Sequence, residues 1–68
     1  MIIQVKNDLV DNETMMRHHR DRLLAESDWT QLPDAPVDRE AWAIYRQALR
    51  DFPATWTPGP EADFPDTP

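Results

Sequence analysis

Two adjacent histidines, His18 and His19, thirteen Asp and Glu residues and one serine are the side chains of this chain best suited to ligate a metal or move a proton. On a helix, neighbouring residues point about 100° apart, so one face cannot offer both histidines to one ion. Neither histidine has a His or Glu four positions away in the manner of an H-E-x-x-H site. Ser27, Asp28, Asp34 and Asp38 fall where helix ends and turns use such residues, which accounts for them without catalysis. A chain with one glycine cannot build a glycine-rich phosphate loop, and one without cysteine has neither disulfide nor thiolate metal site. No catalytic, cofactor-binding or metal-binding residue is therefore expected, and the chain does not read as an enzyme.

Composition narrows the partners. Thirteen acids against seven bases leave a net charge of −6, the wrong sign for nucleic-acid binding by counterion release. The charge is uneven: Arg17, Arg20, Arg22, Arg39, Arg46 and Arg50 lie in the middle, whereas residues 51–68 carry acids and no base. No run approaches the roughly 20 apolar residues of a membrane span, and "MIIQVKNDLV" lacks the basic start of a signal peptide. A membrane role is not expected, and the cytoplasm in which the chain is made is the expected location. A domain of this length buries only about 60% of the surface its unfolded chain exposes, so a partner or self-association into a homo-oligomer is an open expectation.

The elements that must position any binding residues are helical. From about residue 10 to residue 26, Met16, His19 and Leu23 recur at spacings of three and four, with Leu9 extending the stripe, and Asp11 or Asn12 suits an N-cap. A second helix, about residues 38–52, has Asp38 as N-cap. Its Trp42, Tyr45, Leu49 and Phe52 form one continuous face, and Pro53 marks its expected end. Between the helices, "SDWTQLP" reads as a tight turn in which Asp28 caps and Gln31 reaches back. Pro33 then pushes Leu32 out of helical geometry. "MIIQV" favours an extended segment. With Pro53, Pro58, Pro60, Pro65 and Pro68, the sequence beyond the second helix favours polyproline and turns.

The expected fold is thus all-α. Residues 1–53 form one small two-helix hairpin with a short N-terminal extended segment, and residues 54–68 an extended, proline-rich acidic tail. Six residues stand out as partner-binding or core candidates: Trp29, Leu32, Trp42, Tyr45, Arg46 and Arg50. Trp, Tyr and Arg dominate interface hot spots, but a very small domain needs the same aromatics inside. Spacing favours Trp29 and Leu32 as a lid over the Trp42, Tyr45 and Leu49 face, with a partner contact as the alternative. Arg46 and Arg50 lie one helical turn apart and call for an acidic neighbour, for which Asp28, Asp34 and Asp51 are the candidates.

The stretch "RDRLLAESDWTQLPDAPVDREAWAIYRQALRDFP", Arg20 to Pro53, resembles the phage tail assembly chaperone family. That family reads approximately R-x-x-L-L-x-x-S-D-W-T-Q-L-x-D, a short variable segment, then W-x-x-Y-R-x-x-L-R-D. Relatives often end in a W-P-x-x-P-like sequence, where this chain has "FPDTP" with Phe64 in place of Trp, and many carry a longer N-terminal part. The resemblance implies a phage or prophage protein that binds a tail or tail-fibre protein and assists its assembly, and it brings no catalytic residues. Two other readings compete. One is a structural virion component, a cap or adaptor at a tail fibre or tail tip, which would place the protein in the virion tail. The other is an acidic host-directed inhibitor, disfavoured because the acid sits in a proline-rich tail.

Overall fold

Both helices begin where a carboxylate can take up a free backbone N–H. In the computed structural model, which describes residues 1–6 and 9–68, helix α1 spans Asn12–Ser27 and the Asp11 side chain accepts from the Thr14 N–H at 2.7 Å. Helix α2 spans Arg39–Thr55, and Asp38 accepts from the Ala41 N–H at 3.1 Å. Each cap satisfies one of the donors that a helix leaves unpaired at its start. A 3-10 turn, Asp28–Gln31, follows α1 directly, and the two helices pack against each other and against that turn.

α2 does not stop near Phe52 as expected. It runs through Pro53 to Thr55, and the chain leaves it with the Trp56 N–H donating to Phe52 O at 2.9 Å. Proline deletes the bond that Leu49 O would have accepted, but in a last turn that removes little more than an end already short of partners. Leu9 also departs from expectation: it lies ahead of the first helical residue, so helical spacing no longer applies, and it is 93% exposed.

The molecule is mostly helical but not all-α. The N-terminal segment forms strand β1 (Ile2–Gln4), and the proline-rich C-terminal region contributes strand β2 (Glu61–Asp63). They pair antiparallel with Ile3 opposite Ala62. Bonds from Val5 N–H to Pro60 O (2.9 Å) and from Phe64 N–H to Met1 O (2.6 Å) flank the pair. The Met1 ammonium closes the same end on Asp66 Oδ1 (3.0 Å), Asp63 Oδ1 (3.1 Å) and Phe64 O (2.6 Å). Backbone bonding alternates along an antiparallel pair, so Glu61, opposite Gln4, turns its carbonyl away from β1. There the Trp56 indole N–H meets it at 3.0 Å and covers part of the outer edge.

This small sheet completes the core. Fully or nearly fully buried are Val5, Met16 of α1, Tyr45 and Leu49 of α2, and Ala62 and Phe64 from the C-terminal region. Residues 61–64 alternate out and in, with Glu61 and Asp63 exposed and Ala62 and Phe64 buried, as a half-buried strand requires. The Phe64 ring lies 4.6 Å, centroid to centroid, from Phe52. Phe64, Ala62 and Val5 therefore cover the aromatic face of α2, and the expected lid of Trp29 and Leu32 is not formed: these two are 47% and 55% exposed. The reason is reach. Leu49 lies ten residues beyond the start of α2, roughly 15 Å along its axis, and the turn sits at the opposite end, whereas a chain returning from Thr55 passes directly over Phe52.

Two outcomes follow. Phe64→Ala should destabilise the protein by about 3–5 kcal/mol, read as a large fall in the thermal midpoint followed by circular dichroism. Asp11 sits below the ordinary carboxylate range because the Thr14 N–H binds its ionised form. Its stabilisation is therefore present above its unfolded-state value and is lost as pH falls through the lower folded-state value. Asp11→Asn, a good cap that does not titrate, should flatten this part of the acid limb of stability against pH.

Candidate protein-docking site

The turn between the helices is held from inside by one cation. α1 has no basic residue in its last turn, although the partial negative charge of its carbonyl end favours one. Arg46, projecting from α2, supplies it. Its Nη1 donates to Leu24 O at 2.6 Å and to Ser27 Oγ at 2.7 Å, and its Nη2 donates to Asp28 Oδ1 at 2.6 Å. The Arg46 side chain is only 9% exposed, whereas that of Asp28 is 68% exposed. The carboxylate thus keeps much of its hydration while the guanidinium exchanges water for three acceptors in one fork.

The neighbouring polar groups extend this arrangement. Ser27 Oγ donates back to Leu23 O (2.8 Å) and Leu24 O (3.2 Å), and the fully buried Thr30 hydroxyl donates to Ser27 O at 2.6 Å. Gln31 Nε2 reaches Arg39 O at 3.2 Å and Thr30 Oγ1 at 3.3 Å, tying the turn to the start of α2. Among the described residues no buried side-chain nitrogen or oxygen lacks a partner. Asp28 therefore does not cap the turn as expected: the residue at the N-cap position is Ser27, without a side-chain cap bond, and the Asp28 carboxylate is taken by Arg46 instead. Gln31 does reach, but to α2.

The six candidates separate into four groups. Tyr45 is buried and Trp42 partly so, their rings edge to face at 5.6 Å and 87°. Burial first, and then the negative charge of Glu26, push the Tyr45 phenol above its ordinary value. Arg46 is internal and finds the acidic neighbour it was expected to need in Asp28. Arg50 is not drawn into this cluster: it is exposed on α2 and, among the described residues, has no ion pair. Trp29 and Leu32 remain, exposed on the turn and joined through its backbone by the Leu32 N–H to Trp29 O bond at 3.2 Å. An isolated exposed apolar residue is ordinary. Here two large ones stand on a connection whose backbone is pinned by buried hydrogen bonds, the arrangement of a preorganised contact rather than of a loose loop.

The internal roles of Ser27 and Thr30 were missed from sequence, as was the burial of Arg46. The usable signal was their place in the S-D-W-T and Y-R blocks, where type and spacing recur together. No group of three or more His, Asp or Glu side chains among the described residues is placed to hold a metal ion. No helix among them is long and apolar enough to cross a membrane.

Residues 13–68 match the family of the phage tail assembly chaperone protein. The chain belongs to that family. The matched span contains all of α1 but its first residue, the turn, α2 and β2, hence the whole Arg46 arrangement and both exposed apolar side chains, and it leaves out β1. Comparison with curated proteins and with solved structures finds no match. Family membership implies a part in phage tail assembly and a non-enzymatic role.

Opposite outcomes are expected from the two halves of this site. Arg46→Ala leaves Leu24 O and the Ser27 hydroxyl without their donor, while the exposed Asp28 carboxylate rehydrates, and should cost about 2–3 kcal/mol. Trp29→Ala should cost only about 1 kcal/mol, the ordinary scale for a substitution outside the core. Urea unfolding of the two variants beside the parent protein measures both.

Proposed function

We propose that this protein binds a tail or tail-fibre protein in the host cytoplasm and assists its assembly, docking it through Trp29 and Leu32 without catalysing a reaction. The observation that carries this reading is the division of labour within one short motif. Ser27, Asp28, Thr30 and Arg46 are spent inward on fixing the turn, while Trp29 and Leu32 face solvent. A rigid aromatic residue beside an aliphatic one offers large contact area at low cost in side-chain order. Family membership supplies the process, and the turn supplies the surface.

The test is co-expression with the tail-fibre protein of the same phage. The parent protein should raise the yield of soluble, trimeric fibre. The double variant Trp29→Ala/Leu32→Ala, folded by circular dichroism, should lose that effect. An unchanged yield and oligomeric state with the parent protein would overturn the reading. Mass spectrometry of purified particles addresses the persistence of the protein: an assembly factor is absent from them, whereas a cap or adaptor is present in fixed copy number.

A further inference from the structure

Beside the docking turn lies a half-open groove of about 180 Å³, lined by Leu23, Glu26, Ser27, Trp42, Tyr45 and Thr67. Among the residues that line it, Tyr45 is 5% exposed and carries a hydroxyl with no protein hydrogen-bond partner among the described residues. Because no buried side-chain oxygen lacks a partner, this hydroxyl must keep a window to solvent, and the groove that Tyr45 lines is where it opens. An enclosed phenol with an unused donor and acceptor is a position at which a ligand gains a hydrogen bond and displaces only water.

The surroundings specify the ligand. Glu26 brings a carboxylate to the rim, and its charge is felt at Tyr45, where it adds to the upward push on the phenol. That carboxylate is lightly engaged: among the described residues its one ion pair, with Arg22 Nε on the preceding turn, is 3.6 Å long between two side chains each 63% exposed. Such a contact is too long for a good hydrogen bond and contributes little. Trp42, partly buried and edge to face with Tyr45, supplies aromatic surface. Carboxylate, unpaired phenol and indole together suit a cation that is planar, weakly hydrated and rich in directed donors, which describes guanidinium better than ammonium. The net charge of −6 favours the approach of such a group.

We propose that this groove is a subsite for an arginine side chain of the docked protein, with the guanidinium pairing to Glu26 and donating to the Tyr45 hydroxyl while its methylene stem lies against Leu23 and Trp42. The proposal deepens the docking reading and rests on it for the identity of the partner, but the recognition chemistry stands apart from Trp29. The free arginine probe reports on the groove alone, and the fibre co-expression assay reports on the turn, so failure of one is distinguishable from failure of the other.

The experiment titrates the full-length protein with N-acetyl-arginine amide and, separately, with the uncharged isostere N-acetyl-citrulline amide, following the Trp42 indole and the Glu26 and Tyr45 backbone amides by ¹H–¹⁵N NMR. Saturable shifts are expected with the arginine probe and not with the citrulline probe. Glu26→Gln should weaken the arginine probe roughly tenfold, the scale of one charge-assisted contact. Tyr45→Phe, which keeps the ring, should weaken it roughly threefold. Equal response to both probes, or unaltered affinity in Glu26→Gln, would overturn the proposal. Shifts at the same residues on raising the concentration of the protein alone would also overturn it, assigning the groove to a second copy.

Discussion

The guanidinium of Arg46 sits where the first helix ends and the second must begin, and it makes one unit of the two. A helix end buried without partners is costly, because its last carbonyls lose water and gain nothing. α1 ends against α2, and the cation that completes it comes from α2 itself. The bond to Leu24 O therefore links satisfaction of one helix to correct docking of the other. The partly hydrated Asp28 limits the desolvation that makes fully buried ion pairs poor stabilisers. With that end closed, the turn has little freedom left, and the direction in which Trp29 and Leu32 face becomes a property of the fold.

The other end of the hairpin is closed by different means. An isolated pair of three-residue strands is marginal in water, yet here the pair rests on the aromatic face of α2 through Val5, Ala62 and Phe64. For a chain of 68 residues this covering decides stability, since the hairpin alone would leave Tyr45, Leu49 and Phe52 with one helix as shelter. Because the sheet occupies that face, Trp29 is released from the core. The exposure of Trp29 is thus a consequence of what the C-terminal region buries 35 residues further along, from Trp29 to Phe64.

Much of this was legible in the sequence, and the parts that were share a feature. The N-cap Asp38 was readable, and Asp11 as one of two neighbours, because capping is decided within three residues, and the α2 face because one helix displays it by its own period. The family was readable because its motif joins residue types at fixed spacings over both helices. The β2 strand was obscured: the alternation Glu61, Ala62, Asp63, Phe64 is there, but it is four residues long and flanked by prolines that argue for turns.

The sequence by itself determined the helices, their starts, the aromatic stripe of α2 and the membership of the chain in its family, all of which depend on local spacing or on matched residue types. Tertiary structure decided which side chain covers that stripe and which cation completes α1. Those questions turn on pairs such as Phe52 with Phe64, or Arg46 with Leu24, Ser27 and Asp28, which lie 18 to 22 residues apart in the latter case. Trp29, Phe64 and Trp56 are equally good candidates for burial by type alone. The choice among them is made by the length of α2 and the point at which the returning chain crosses it, and these exist only once the two helices are packed.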